Sequence, residues 1–315
     1  MPFPAPLSSF KETPQAEAPI GIFDSGVGGL SVLQAIHHLL PHESLLYCAD
    51  SRYTPYGDHT TAFVTDRSLA IAQWLVDQGA KAIVVACNTA TTQAITTLRE
   101  RLTVPVIGVE PGVKPAAHQS RSRVAGILAT AGTLKSEKFQ TLMQAHAVDC
   151  KLICVAGVGL VEAIEGGDID SPALSALLER YLKPILDAGA DTLALGCTHY
   201  PFLIPLIKQL AGSRLQIVDN SPPVARQLER TLALHGQLRR APADVTPARS
   251  DLSGLGHGHT KTDGGAGHSK AAQTVLLTFC TTGTTAQLSR LAEIGLGLKI
   301  QVSQVTIASP LTCQA

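Results

Sequence analysis

Two segments of this chain run a short apolar, β-branched stretch into a cysteine and follow it with hydroxyl or amide side chains. They are Ala82-Ile83-Val84-Val85-Ala86-Cys87-Asn88-Thr89 and Thr192-Leu193-Ala194-Leu195-Gly196-Cys197-Thr198-His199. A cysteine at the carboxyl end of a strand, where a helix begins, lies where α/β folds place their ligands. The helix N-terminus favours thiolate over thiol there, lowering a pKa of ~8.5 toward neutrality. Such a thiol can act as a nucleophile or move a proton. One cysteine in this setting is most often a core residue; two in the same setting make a structural reading of both hard to sustain. His199 can serve Cys197 as a proton partner or pack as an ordinary buried histidine. A third candidate is Asp24, which heads the turn Asp24-Ser25-Gly26-Val27-Gly28-Gly29-Leu30. The backbone amides of that turn can converge on a carboxylate or phosphate, although it lacks the Lys-Ser/Thr of an NTP-binding loop. A carboxylate placed there repels a second anion, so Asp24 is expected to steer a proton or bind an ammonium group.

The elements that must carry these residues read as alternation. Apolar runs ending in Gly, Asn or Thr predict strands at Ile20–Phe23, Leu45–Cys48, Ala82–Val85, Val104–Ile107, Val124–Ile127, Leu152–Val155, Thr192–Leu195 and Leu215–Val218. Amphipathic stretches fall between them, for example Phe63–Gln78 and a helix from an N-cap at Ser171, with Pro172 first, to about Ala188. This is the α/β class with parallel sheets. The chain also repeats itself: Gly79–Thr89 lies over Gly189–His199 at an offset of 110 residues, and Gly21–Gly26 faces Gly126–Ala131 at an offset of 105. Two similar α/β domains related by a pseudo-two-fold axis are expected, with the active site between them and one cysteine from each side. The expected division is 1–18 as an unstructured extension, 19–112 plus 220–315 as the first domain and 113–219 as the second. From Ala241 to Ala272 Gly, His, Ser, Thr and Pro dominate, which reads as a flexible insertion. Its His257, His259 and His268 lack Cys or carboxylate at matched spacing and so read as linker rather than metal site. Strand and helix resume at Val275–Cys280 and Ala286–Ile294.

A chain of 315 residues can bury two cores. Its 25 Lys and Arg balance 25 Asp and Glu, leaving no positive field for nucleic acid or an anionic membrane. No apolar run approaches the ~18 residues of a spanning helix. Prolines interrupt the N-terminal stretch where a signal peptide needs an apolar helix, so a cytoplasmic location is expected. Seven cysteines, an odd number without a dense framework, are expected to be reduced thiols.

Taken in order, Asp24-Ser25-Gly26-Val27-Gly28-Gly29, Pro55-Tyr56-Gly57, Cys87-Asn88-Thr89-Ala90 and Gly196-Cys197-Thr198-His199-Tyr200-Pro201 resemble the motifs of glutamate racemases, in the aspartate/glutamate racemase superfamily. The resemblance runs from about Ile20 to Ser221 and more loosely through Phe279. It implies interconversion of L- and D-glutamate by two-base proton transfer without cofactor or metal, supplying D-glutamate for peptidoglycan and hence for cell-wall biogenesis and cell shape. It makes Cys87 and Cys197 the two bases, with Asp24 assisting Cys87 and His199 assisting Cys197. It gives the substrate carboxylates and amine to Asp24, Ser25, Pro55, Tyr56, Gly57, Asn88, Thr89 and Thr198. Family members also place a Glu near the second cysteine, at the end of a Leu/Phe-Val-x-x-apolar-Glu pattern. That pattern reads Leu160-Val161-Glu162-Ala163-Ile164-Glu165 here and maps the carboxylate to Glu165, with Glu162 one helical turn earlier as the alternative. A homodimer and a peptidoglycan-precursor activator are further partners the resemblance implies.

Three other readings compete. A racemase of aspartate or another amino acid would be separated by a substrate panel. A cysteine hydrolase or transferase would show acyl-enzyme bursts. A binding protein without catalysis has no evident use for both cysteines together with Asp24 and His199.

Overall fold

The computed structural model describes residues 16–239 and 275–309, Leu298 excepted. Their strands are β1 (Ile20–Asp24), β2 (Leu45–Ala49), β3 (Ala82–Val85), β4 (Val106–Gly108), β5 (Val124–Ala129), β6 (Lys151–Ala156), β7 (Thr192–Gly196), β8 (Gln216–Val218), β9 (Leu277–Thr281) and β10 (Val302–Gln304). They form two parallel-sheet α/β domains. The first sheet has the order β10-β9-β2-β1-β3-β4 and the second β6-β5-β7-β8. Inside each, four consecutive strands take the order second, first, third, fourth. The register repeats as well: Ile20 stands opposite Leu45 and Ala82, and Ala125 opposite Leu152 and Thr192. The offsets of 105 and 110 residues that align the sequence segments therefore also align paired strands.

Every residue of β1, β3 and β7 is buried, as in parallel strands covered by helices on both faces. Ile20 and Ile22 point into one core and Phe23 into another, following the two-residue period of a strand. The helix Thr61–Asp77 packs on Asn88–Arg101 beside the first sheet. The helix Pro172–Asp187 starts where Ser171 accepts a bond from Leu174 N at 3.1 Å, the cap its sequence calls for. Strand β10 has no apolar run to announce it; three residues are drawn into the sheet by pairing with Phe279, Cys280 and Thr281. No helix among the described residues is long and apolar enough to cross a membrane.

The stretch 241–272 with its three histidines, the N-terminal residues 1–15 and Cys313 lie outside the described residues. Residues 16–18, expected to end an unstructured extension, are held by a buried ammonium. Lys81 Nζ donates to Ala16 O at 2.7 Å, Gln237 O at 2.9 Å and Glu43 Oε2 at 2.5 Å. The two described flanks of the stretch converge on one side chain, for Ser44 Oγ accepts from Arg239 Nη1 at 3.1 Å and Leu276 N at 3.2 Å. Ser44 precedes β2, so both flanks sit at the amino ends of the strands, opposite the cysteines. Deleting Ser250–Gly267 is therefore expected to move the thermal midpoint by no more than a few degrees and the activity by no more than a few fold. Insoluble protein would show that the stretch packs against the domain.

Candidate active site

The carboxyl ends of β1, β3, β5 and β7 face a common pocket. Ser25, Pro55, Tyr56, Gly57, Cys87, Asn88 and Thr89 line it from the first domain, and Thr198, Cys197 and His199 from the second. Asp24 and Glu165 stand behind that lining, bonded to residues in it. Thr130 and Val161 also line the pocket and were not singled out from sequence. Thr130 is the residue that the 105-residue offset pairs with Ser25, so the repeat itself carried the signal.

Cys87 is the N-cap of Asn88–Arg101, and its sulfur accepts from Ala90 N at 3.5 Å. The helix end favours thiolate, but burial dominates and the nearby Asp24 carboxylate adds to it, holding the Cys87 thiol well above its usual range. The expected drop toward neutrality is thus reversed: a thiol sealed from water beside an anion keeps its proton. It donates that proton toward Ser25 Oγ at 3.8 Å, and Ser25 Oγ donates to Asp24 Oδ1 at 3.3 Å. Asp24 is itself pushed up by burial, partly countered by His199 and by the amides of Gly29 and Ser25.

The glycine-rich turn binds anions, but they are the protein's own. Ser25 N and Gly29 N donate to Asp24 at 2.7 and 2.6 Å, and Val27 N donates to Glu165 Oε1 at 2.8 Å. These amides are spent inside the fold. The glycines serve a different close approach. A Cβ on Gly28 would lie 2.6 Å from His199 N, and one on Gly26 would lie 1.8 Å from Glu165 Oε1.

Cys197 follows β7, with its sulfur 3.8 Å from His199 Nδ1. The other ring nitrogen, Nε2, is 2.7 Å from Glu165 Oε1. Burial alone would lower His199, but its bonds to Cys197 and Glu165 and their charges outweigh that and raise it well above the imidazole range. A protonated ring donates at both nitrogens, so His199 holds a proton directed at the Cys197 sulfur. Glu165 lies buried on the helix Leu160–Glu165 while Glu162 is exposed. Gln287 Nε2 completes its shell, donating to Oε2 and to the Glu165 carbonyl, both at 3.1 Å. Gln287 belongs to Thr285–Leu296, and no sequence pattern ties it to the cysteines.

Displacing Glu165 should uncouple this arrangement without touching either thiol. Gly26→Ala puts a methyl group where its oxygen lies. Because misplacement by 1 Å costs on the order of 10²-fold, kcat is expected to fall by about that factor with an unchanged far-UV spectrum. Wild-type turnover would show that the carboxylate position does not matter.

The remaining predicted residues divide by what they touch. Thr198 Oγ1 donates to Asp24 Oδ2 at 3.3 Å across the domains. Thr89 Oγ1 is 2.8 Å from Thr130 Oγ1 and 3.3 Å from Thr133 Oγ1. Asn88 Nδ2 donates to Val109 O at 3.4 Å, while its buried Oδ1 has no protein partner. The Tyr56 hydroxyl donates to Asp50 Oδ2 at 2.6 Å. Tyr56 and Gly57 both line the pocket, and their backbone N–H groups open the short helical turn Tyr56–Asp58 without an intrahelical acceptor.

Comparison with known proteins agrees with this geometry. The family model for Asp/Glu/hydantoin racemases matches residues 20–226. A glutamate racemase from Ralstonia nicotianae is 59% identical over 252 residues, covering 77% of this chain and 91% of that protein. Among solved structures, a glutamate racemase isoform from Bacillus anthracis superposes with a TM-score of 0.76 at 29% identity, over 93% of this chain and 98% of that one. The Escherichia coli glutamate racemase, solved with L-glutamate and the activator UDP-MurNAc-ala, gives 0.72 at 29% identity, over 93% and 100%. With paired thiols on duplicated sheets and relatives this similar over most of its length, the chain belongs to the glutamate racemase family.

Proposed function

We propose that this chain interconverts L- and D-glutamate by moving the α-proton between two thiols on opposite sides of the substrate, Cys87 and Cys197. The observation that carries the reading is that both cysteines, each at the equivalent strand end of a repeated half, line one small pocket. Inverting an α-carbon means removing hydrogen from one face and returning it to the other. Two bases held by opposing domains satisfy that geometry without either having to cross the substrate.

The chemistry is demanding. A gap on the order of a dozen pKa units between the carbon acid and a thiol corresponds to roughly 16 kcal/mol. Exclusion of water and donors to the substrate carboxylates must offset much of it. The start of the helix Asn88–Arg101 supplies N–H groups and the Thr89 hydroxyl, and Tyr56 and Gly57 supply two more N–H groups. The unpartnered Asn88 Oδ1 suits the substrate ammonium.

Protonation in the resting site favours one direction of entry. Cys87 carries its proton and His199 is charged beside Cys197. L-glutamate then gives its α-proton to Cys197, while Cys87 supplies the opposite face. For the D enantiomer the roles exchange, with the Cys87 proton passing toward Asp24 through Ser25. The raised Asp24 carboxyl makes it a better acceptor than an exposed carboxylate.

On the family's role, D-glutamate made here goes to peptidoglycan. We place the reaction in the cytoplasm, where thiols stay reduced; the six cysteines among the described residues are all free. By likeness to the Escherichia coli protein, the chain takes a nucleotide-linked peptidoglycan precursor as activator. Circular dichroism of purified protein with L-glutamate, with and without that precursor, tests the reading. Decay of the signal to zero is expected, because mirror images have an equilibrium constant of 1. Decay with aspartate but not glutamate would assign the chain to the competing substrate.

A further inference from the structure

Behind the loop Pro55–Gly57 lies a buried ion pair that none of these steps uses. The side chains of Arg67 and Asp50 have no exposed surface. Arg67 grips the carboxylate with two bonds, Nε to Oδ2 and Nη2 to Oδ1, each 2.8 Å. Thr282 Oγ1 adds a donor to Oδ1 at 2.7 Å, and Tyr56 Oη one to Oδ2 at 2.6 Å. Arg67 Nη1 donates to Ile307 O, so the pair also ties down the segment after β10. Four donors saturate the lone pairs of one carboxylate and leave it a single orientation.

Such a pair is a weak way to stabilise a fold, since the cost of desolvating two charges consumes most of their attraction. Its geometry shows instead what it can fix. Asp50 follows β2 directly, and its N–H donates to Asp24 O at 2.9 Å, so the carboxylate is referenced to the strand end that carries Asp24. On its other side it holds Tyr56, whose ring is fully enclosed. Tyr56 and Gly57 in turn line the pocket, and their N–H groups open the turn Tyr56–Asp58 without an intrahelical acceptor. From the second domain the loop is pressed by Thr130: a Cβ on Gly57 would lie 3.0 Å from Thr130 Cβ. A three-residue helical turn has few bonds of its own to hold it between these two surfaces. The phenol is its side-chain link to the charged network.

We propose that Asp50, clamped by Arg67 and Thr282, is a positioning residue. Through the Tyr56 hydroxyl it sets the Pro55–Gly57 loop so that the Tyr56 and Gly57 N–H groups meet a substrate carboxylate. The proposal rests on the reading of this pocket as a site for an amino dicarboxylate. A loop that binds the ground state and the transition state alike shows its effect in KM rather than kcat.

The experiment is a mutant cycle on Tyr56→Phe and Asp50→Asn, with kinetics for both enantiomers and thermal melting. Tyr56→Phe removes one oxygen and leaves the ion pair and the ring. It is expected to raise KM about tenfold for L- and D-glutamate, with kcat within about threefold. Asp50→Asn should raise KM at least as much and lower the thermal midpoint as well. Adding Tyr56→Phe to Asp50→Asn should then raise KM little further, because both act through one bond. If Asp50→Asn does not fold, Thr282→Val, which removes one donor and keeps the ion pair, takes its place. Wild-type KM in Tyr56→Phe, or KM effects that multiply fully in the double variant, would overturn the proposal and leave Asp50 a structural residue. Failure of the wild-type protein to racemise glutamate would overturn the functional reading instead, so the two outcomes stay separate.

Discussion

Cys87→Ala and Cys197→Ala are each expected to abolish racemisation, lowering kcat/KM by at least about 10⁴-fold, which is roughly 5.5 kcal/mol of transition-state stabilisation. Each substitution removes one sulfur atom from a pocket wall, so the fold should lose no more than about 1 kcal/mol. Because the equilibrium constant is 1, kcat/KM must fall equally in both directions whichever thiol is lost. Exchange of the α-hydrogen with solvent is not bound in this way and tells the faces apart. Cys87→Ala should still exchange the α-hydrogen of L-glutamate slowly through Cys197, without forming the D enantiomer, and Cys197→Ala should do so with D-glutamate only. Proton NMR in heavy water reads both. A variant with near wild-type turnover and a native far-UV spectrum would refute the two-thiol assignment, and exchange on the opposite enantiomers would reverse it.

In heavy water the wild-type protein should give an all-or-none isotope pattern at early reaction times. Starting from protiated L-glutamate, Cys197 takes the hydrogen, while Cys87, already carrying deuterium from solvent, supplies the other face. The first D-glutamate formed should be almost wholly deuterated at Cα. Unreacted L-glutamate should stay mostly protiated, because the proton on Cys197 returns to the same face faster than it exchanges. His199 favours that retention: its charged ring faces the sulfur at 3.8 Å and is itself buried, so solvent reaches the pair slowly. A single base moving between faces would carry the original hydrogen into product. Substantial protium in the first D-glutamate would therefore sink the mechanism even with racemase activity in hand.

Much of this architecture is written in local pattern. The strands are short apolar runs closed by small residues, and a parallel strand buried on both faces needs little more than that to be recognised. The repeat placed Cys87 and Cys197 at equivalent strand ends, and its 105-residue offset already paired Ser25 with Thr130, which lines the same pocket. Less was legible where function depends on what a group meets across the domains. The amides and glycines of the turn Asp24–Leu30 suit an anion and Asp24 at its head argues against a second one, but sequence does not show what the amides close on. They close on Asp24 and Glu165, and a residue 138 positions away in the chain is not visible from the turn. Nor does the motif Pro55-Tyr56-Gly57 show that the Tyr56 hydroxyl is taken by the buried Asp50 carboxylate.

Sequence by itself determined the class of fold and the duplication, with Cys87 and Cys197 at equivalent strand ends, since these rest on periodicity and residue type. Tertiary structure alone decided their protonation and their partners. A cysteine at a helix start is expected to ionise, yet Cys87 keeps its proton because burial and the Asp24 carboxylate together outweigh one helix end. A histidine sealed from water is expected to lose its charge, yet His199 keeps it because Cys197 and Glu165 flank it. Gln287, Asp50 and Arg67 carry no motif at all, and they bear on the site only because folding brings them to within hydrogen-bonding distance of groups far away in the chain. Desolvation and through-space charge depend on the full three-dimensional surround of a group, which no local stretch of residues encodes.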